Sequence, residues 1–148
     1  MEKKKDIPNI QLSTIVLDTN DMEGLENFYL RLLGWEKAFV QEGVFSVIRS
    51  GKGGVEIAFQ SNEDYVPPVW PEEPGQQQQM VHMDFTVGGK DNLESAVQHA
   101  ISCGAVMAKD QWSDQWAVLI DPAGHPFVLW YNKEQIKTVG LRSETEGI

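Results

Sequence analysis

The sequence predicts an α+β fold of two tandem βαβββ modules, with curved mixed sheets around a cleft and helices on their outer faces. Three observations point to it. Strand-like and helix-like segments follow one another in the same order twice. Glycines recur at a fixed interval: 70 residues separate Gly34 from Gly104 and Gly54 from Gly124, while Thr14 and His82 are 68 apart, a difference explained by a short insertion in GGK. Several strands alternate between an apolar face and a mixed one.

The first module, about 10–60, opens with IQLSTIVLDT, a stretch rich in Ile, Val and Thr that reads as a strand. Asn20 with Glu23 three positions on forms a candidate capping box. Leu25, Phe28, Tyr29, Leu32 and Leu33 then recur at helical spacing until Gly34 ends the helix. Strands are expected over Trp35–Gln41, Val44–Ser50 and Val55–Gln60, joined by turns at EG and GKGG. GKGG has its lysine before the glycine pair and no following Ser or Thr, so it reads as a hairpin turn and not as a phosphate loop.

The segment 61–79, SNEDYVPPVWPEEPGQQQQ, is a linker or lid, because its prolines and polar residues sustain neither a helix nor a central strand. The second module, about 80–131, begins with the strand MVHMDFTV, then the turn GGK and a second candidate capping box, Asp91 with Glu94. Leu93, Ala96, Val97, Ala100 and Ile101 form the apolar face of its helix, and Gly104 closes it. Strands follow over Ala105–Lys109, Trp116–Ile120 and Pro126–Tyr131, with DPAGH as a turn. The tail, 132–148, has weak periodicity. Together these parts are expected to form one domain spanning 1–148.

Strand alternation divides each strand into a core side and a free side. Val81, Met83, Phe85 and Val87 oppose His82, Asp84 and Thr86. Val55, Ile57 and Phe59 oppose Glu56, Ala58 and Gln60, and Phe127, Leu129 and Tyr131 oppose Pro126, Val128 and Trp130. By the repeat, Ile15 and Leu17 face inward while Thr14, Val16 and Asp18 look away. Two such sheets related by duplication would bring Thr14, Glu56, His82 and Pro126 to one cleft. His125 should turn away from it, and His99 belongs on a helix surface.

A chain of 148 residues that is 41% hydrophobic can bury a core without staples, and the single cysteine, Cys103, has no partner within it. No stretch reads as a signal peptide or reaches the roughly 18 apolar residues of a membrane span, so a soluble cytoplasmic protein is expected. With 12 basic and 22 acidic residues the net charge is -10, which repels a phosphate backbone and excludes nucleic acid as an expected partner. No GxSxG elbow is present and Cys103 has no evident base, so nucleophilic hydrolysis has no support.

LDTNDMEGLENFYLRLLGWE is similar to the first strand, helix and Leu-Gly-Trp corner of the vicinal oxygen chelate superfamily, which includes glyoxalases, bleomycin-resistance proteins and extradiol dioxygenases. VHMDFTV resembles the start of that superfamily's second module, and IDPAGHPFVLW its closing hairpin and last strand. FQSNEDYVPPVWP is similar to a glyoxalase-like branch. The resemblance spans roughly Ile10 to Tyr131. It implies pairing of modules within a chain or across a homodimer. It also implies, in metal-dependent members, a divalent ion held from the first and last strands of each module, at positions that fall on Thr14, Glu56, His82 and Pro126. Pro126 has no donor atom and Thr14 is a poor neutral ligand, which leaves Glu56 and His82 as an incomplete metal set.

Two functions follow. One is a metal-independent binder of the bleomycin-resistance type that holds a small cationic or aromatic molecule through Thr14, Glu56, Gln60, Trp70, His82, Asp84 and Trp130. The other is a metal-assisted lyase or isomerase of the glyoxalase class, with Glu56 as general base and His82, together with a divalent ion, polarising an oxygen. A non-catalytic interaction module is a third reading, and it predicts a cleft plugged by side chains.

Overall fold

The computed structural model describes residues 6–131. Strand β1 (Thr14–Thr19) is shorter than the apolar run suggests. Its first cross-strand partner is Glu56, paired with Thr14, and without a partner strand Ile10 and Leu12 remain exposed coil. Helix α1 (Met22–Leu33) is capped by Asp21, not by the expected Asn20. The Asp21 carboxylate accepts from the Gly24 N–H at 3.0 Å. Gly24 permits that closeness, because a Cβ there would lie 2.3 Å from Asp21 Oδ2. At the other end Gly34 takes the left-handed conformation (φ 66°) and donates its N–H to Leu30 O.

Strands β2 (Glu36–Gln41), β3 (Phe45–Arg49) and β4 (Glu56–Ser61) complete a four-stranded sheet in the order β1-β4-β3-β2. β1 and β4 run parallel and the other neighbours antiparallel. The second module repeats the plan: β5 (Met83–Thr86), α2 (Lys90–Cys103), β6 (Val106–Met107), β7 (Trp116–Ile120) and β8 (Pro126–Trp130). Its sheet has the order β5-β8-β7-β6, with β5 and β8 parallel. This is the same permutation, and it bears out the two-module α+β reading. The second capping box is not formed. α2 starts at Lys90 behind Gly89, without a side-chain cap, so Asp91 lies inside the first turn, where its charge complements the helix dipole. Val81 and Val55 fall just outside their strands and are exposed. The tail, 132–148, lies outside the described residues.

The core sides of both sheets meet on one helix. Tyr29 of α1 stacks on Phe59 of β4, with ring centres 5.8 Å apart. Phe28 and Tyr29 also touch Phe127 of β8, at 5.9 and 6.3 Å. Buried residues of both modules therefore form one cluster. Because α1 stands between the two core faces, the free faces of the sheets look away from this shared layer.

Polar contacts lock the layer in place. The Tyr29 hydroxyl donates to Asp121 Oδ2 at 2.7 Å, while Asp121 Oδ1 accepts the Ala123 and His125 N–H groups at 2.9 Å each. The DPAGH turn is thus organised around a carboxylate that also holds α1. Burial pushes the Asp121 carboxyl up from its usual range, against the opposing pull of the His125 charge and the hydrogen bonds to the carboxylate. Burial and the Asp121 charge push the Tyr29 hydroxyl well up. The helices close each other's C-termini: Arg31 Nη2 donates to Cys103 O at 2.7 Å, and His99 Nε2 lies 3.2 and 3.1 Å from Arg31 O and Leu32 O. His99 is exposed as expected, with its ring spent on this contact.

Candidate functional site

The seven candidate residues divide between two surfaces. On the free face of the first sheet, Thr14 is the cross-strand partner of Glu56, and Asp18 of Gln60. Ala58, fully buried, lies between Glu56 and Gln60 on that face, with Val47 as its partner on β3. Around it Val16, Phe39 and Val44 are exposed apolar groups.

On the second sheet the free face is more enclosed. His82 Nε2 lies 3.2 Å from Asp84 Oδ1, both side chains about half exposed. Asp84 is beside Val128 and Thr86 beside Trp130, whose other neighbour is Trp116. Over this face folds the strap between β4 and β5, which brings Trp70 edge-on to Trp112, 6.1 Å away. Trp112 in turn stacks on Trp116 at 6.1 Å.

The result is an inner chamber of about 370 Å³ walled by Trp70, Trp112, Trp116, Val118, Pro126 and Val128, with Gln79 and His82 as its polar members. An outer chamber of about 350 Å³ shares His82, Trp116 and Val128 and adds Asp84 and Trp130. Among the described residues no Lys or Arg lines either one. Chemically this is an apolar aromatic slot opening toward a carboxylate, suited to a flat ring with a positive group at its outer end.

The structure thus brings Trp70, His82, Asp84 and Trp130 together, and leaves Thr14, Glu56 and Gln60 on the other sheet. Trp112, Trp116 and Gln79 were not among the sequence-derived candidates. Trp116 was legible, since it alternates with Val118 along β7; Trp112 and Gln79 lie in irregular segments that only the fold folds over the sheet.

His125 turns away from this face, as strand alternation requires. Its Nε2 lies 2.8 Å from Asp18 O and 3.3 Å from the Tyr65 hydroxyl, which itself donates to Ala123 O. Asn62 Nδ2 donates to Asp18 Oδ2 at 3.1 Å. These groups, with Val16, Val66 and Val81, line a cavity of about 400 Å³ under the strap. Their main polar atoms are engaged with one another and with the backbone of both modules, and burial with the Asp121 and Asp18 charges pushes the Tyr65 hydroxyl up.

The metal positions do not assemble in one chain. Thr14 and Glu56 belong to one sheet and His82 and Pro126 to the other, and the chambers at His82 do not include Glu56. Among the described residues no group of three or more His, Cys, Asp or Glu could hold a metal ion. Among the described residues no helix is long and apolar enough to cross a membrane.

Comparison with known proteins agrees with this architecture. A glyoxalase/bleomycin resistance protein/dioxygenase family enzyme from Burkholderia phytofirmans superposes with a TM-score of 0.62 at 20% identity, over 82% of this chain and 98% of that one. Lactoylglutathione lyase from Agrobacterium tumefaciens gives 0.59 at 14% identity, over 86% and 98%. The fosfomycin resistance protein FosX from Listeria monocytogenes, crystallised with Mn(II) and a dihydroxypropylphosphonic acid, gives 0.61 at 13% identity, over 91% and 99%. These likenesses are of fold. No curated protein matches the chain. The family model of the glyoxalase-like domain matches residues 14–130, from the first residue of β1 to the last of β8, and the chain accordingly belongs to the glyoxalase-like domain family.

Proposed function

We propose that this protein binds a small aromatic molecule on the free face of its second sheet, without a metal, and that two copies complete the site. The observation that carries the reading is the inner chamber, a carbon-walled slot of about 370 Å³ formed by three tryptophans and opening onto Asp84. Such a slot offers ring stacking and apolar burial, and Asp84 and Trp130 at its outer end favour a cationic substituent. A slot of this size also argues against the interaction-module reading, which needs the cleft to be plugged.

The homodimer is inferred from the unfinished halves. The first sheet presents Thr14, Glu56 and Gln60 beside exposed Val16 and Phe39, a polar and apolar surface that the first-sheet face of a second copy could lay over the chambers. Sedimentation equilibrium is expected to give a dimer, and introducing a charge with Phe39→Glu should shift it toward monomer.

Binding is tested by tryptophan fluorescence and calorimetry with a panel of neutral and cationic aromatics. Trp112→Ala should lose binding, and a panel that yields no ligand sinks the proposal. The glyoxalase-class alternative, with Glu56 as base and His82 as polarising group, needs these two side chains to converge across the dimer. It predicts a stoichiometric divalent metal by elemental analysis and a higher Tm on adding zinc, nickel or manganese.

A further inference from the structure

Building on the aromatic-ligand reading, we propose that the strap selects a planar ring bearing a neutral hydrogen-bond acceptor and donor together, the chemistry of an aryl carboxamide. The strap contributes two side chains to the inner chamber, Trp70 and Gln79. Trp70 Nε1 and Gln79 Oε1 are both shut off from solvent, and among the described residues neither has a hydrogen-bond partner. Buried polar atoms in folded proteins are nearly always paired, so two orphans on side chains that wall one chamber point to a partner that reaches them from it when the strap shifts. The indole N–H requires an acceptor and the glutamine carbonyl a donor. A carboxamide supplies both on one substituent, while its ring occupies the carbon walls. A charged substituent has no counterpart here, since among the described residues no Lys, Arg, Asp or Glu lines the inner chamber.

The strap has the freedom to present these groups. Its start is pinned: Asn62 donates to Asp18, and Tyr65 to Ala123 O. Beyond that point its hydrogen bonds stay internal, from Val69 N to Gln77 O at 2.9 Å, from Gln76 N to Glu73 O at 3.2 Å and from Gln77 Nε2 to Gln78 O at 3.0 Å. Among the described residues no hydrogen bond ties 66–81 to either sheet, and Trp70 rests on the body through its edge-on contact with Trp112. A small shift of the strap therefore turns the indole N–H and the Gln79 carbonyl toward a ring substituent without breaking any bond to the sheets.

The test is calorimetry on the full chain with three probes that share one ring: naphthamide (acceptor and donor), acetonaphthone (acceptor only) and methylnaphthalene (neither). Affinity is expected to fall in that order, by about tenfold per lost hydrogen bond. Trp70→Phe keeps a ring but removes the N–H, and should erase the difference in affinity between acetonaphthone and methylnaphthalene, whatever wall area both probes lose alike. Gln79→Leu should bring naphthamide down to acetonaphthone. Circular dichroism and a cooperative thermal transition show that each variant is folded. Equal affinities for the three probes, or an order that survives both substitutions, overturns this inference and leaves the ring-binding reading standing. If no probe binds, the ring-binding reading fails and this inference with it.

Discussion

Replacing Tyr29 by Phe removes one oxygen from the middle of the molecule and leaves the aromatic packing intact. The hydroxyl donates at 2.7 Å to Asp121, a residue with 3% of its surface exposed. Its loss leaves Oδ2 buried with neither protein nor water to replace the donor, and a hydrogen bond to a charged group contributes about 1.5–3 kcal/mol, so a loss of about 2 kcal/mol is expected. For a chain of this length that corresponds to a fall in Tm of roughly 6 °C. The loss should also depend on pH. The Asp121 carboxyl titrates higher in the folded protein than in the unfolded chain, so the folded state holds its proton longer. Stability attributable to this group is therefore greatest below the ordinary carboxylate range, falls as pH rises through that range to the raised value, and is level above it. Tyr29 supports the charged form, so its removal should cost more at about pH 8 than at about pH 3.5, and Asp121→Asn should flatten this part of the profile. Urea denaturation at the two pH values measures both. An equal loss at each pH would refute the reasoning, because it would mean that the hydroxyl contributes packing and not support for a buried charge.

Other substitutions test separate levels of the structure. Phe127→Ala deletes the ring that joins Phe28, Tyr29 and Phe85, and should destabilise by about 3–5 kcal/mol in the same denaturation assay. Gly24→Ala puts a methyl where a Cβ meets the Asp21 carboxylate at 2.3 Å, displacing the helix cap, and should lower stability by about 1 kcal/mol although alanine is the better helix former. Asp84→Asn should leave stability and the binding of neutral aromatics within experimental error while weakening cationic aromatics by about tenfold, as titrated by tryptophan fluorescence.

Much of the fold was legible because its signals are local. Helical spacing of Leu25, Phe28 and Tyr29, the stop at Gly34 and the alternation of Phe127 and Leu129 with Val128 and Trp130 are consequences of backbone geometry acting on neighbouring residues, and the repeat of that order named two modules. Element ends were less legible. Asp21 took the cap from Asn20, and β1 began at Thr14, because the ends depend on which groups find a partner.

By itself, the sequence determined that each strand has a core side and a free side, and it assigned Thr14, Glu56, His82, Asp84 and Trp130 to the free one. Only the tertiary structure decided which free faces meet. Placing α1 between the two sheets separates Thr14 and Glu56 from His82 and Pro126, and folding the strap back over β7 and β8 gathers Trp70, Trp112 and Trp116 into one slot. Alternation along a strand is written into residues two apart, whereas the position of a strap or the stacking of two sheets depends on packing between segments distant in sequence, for which no local pattern exists.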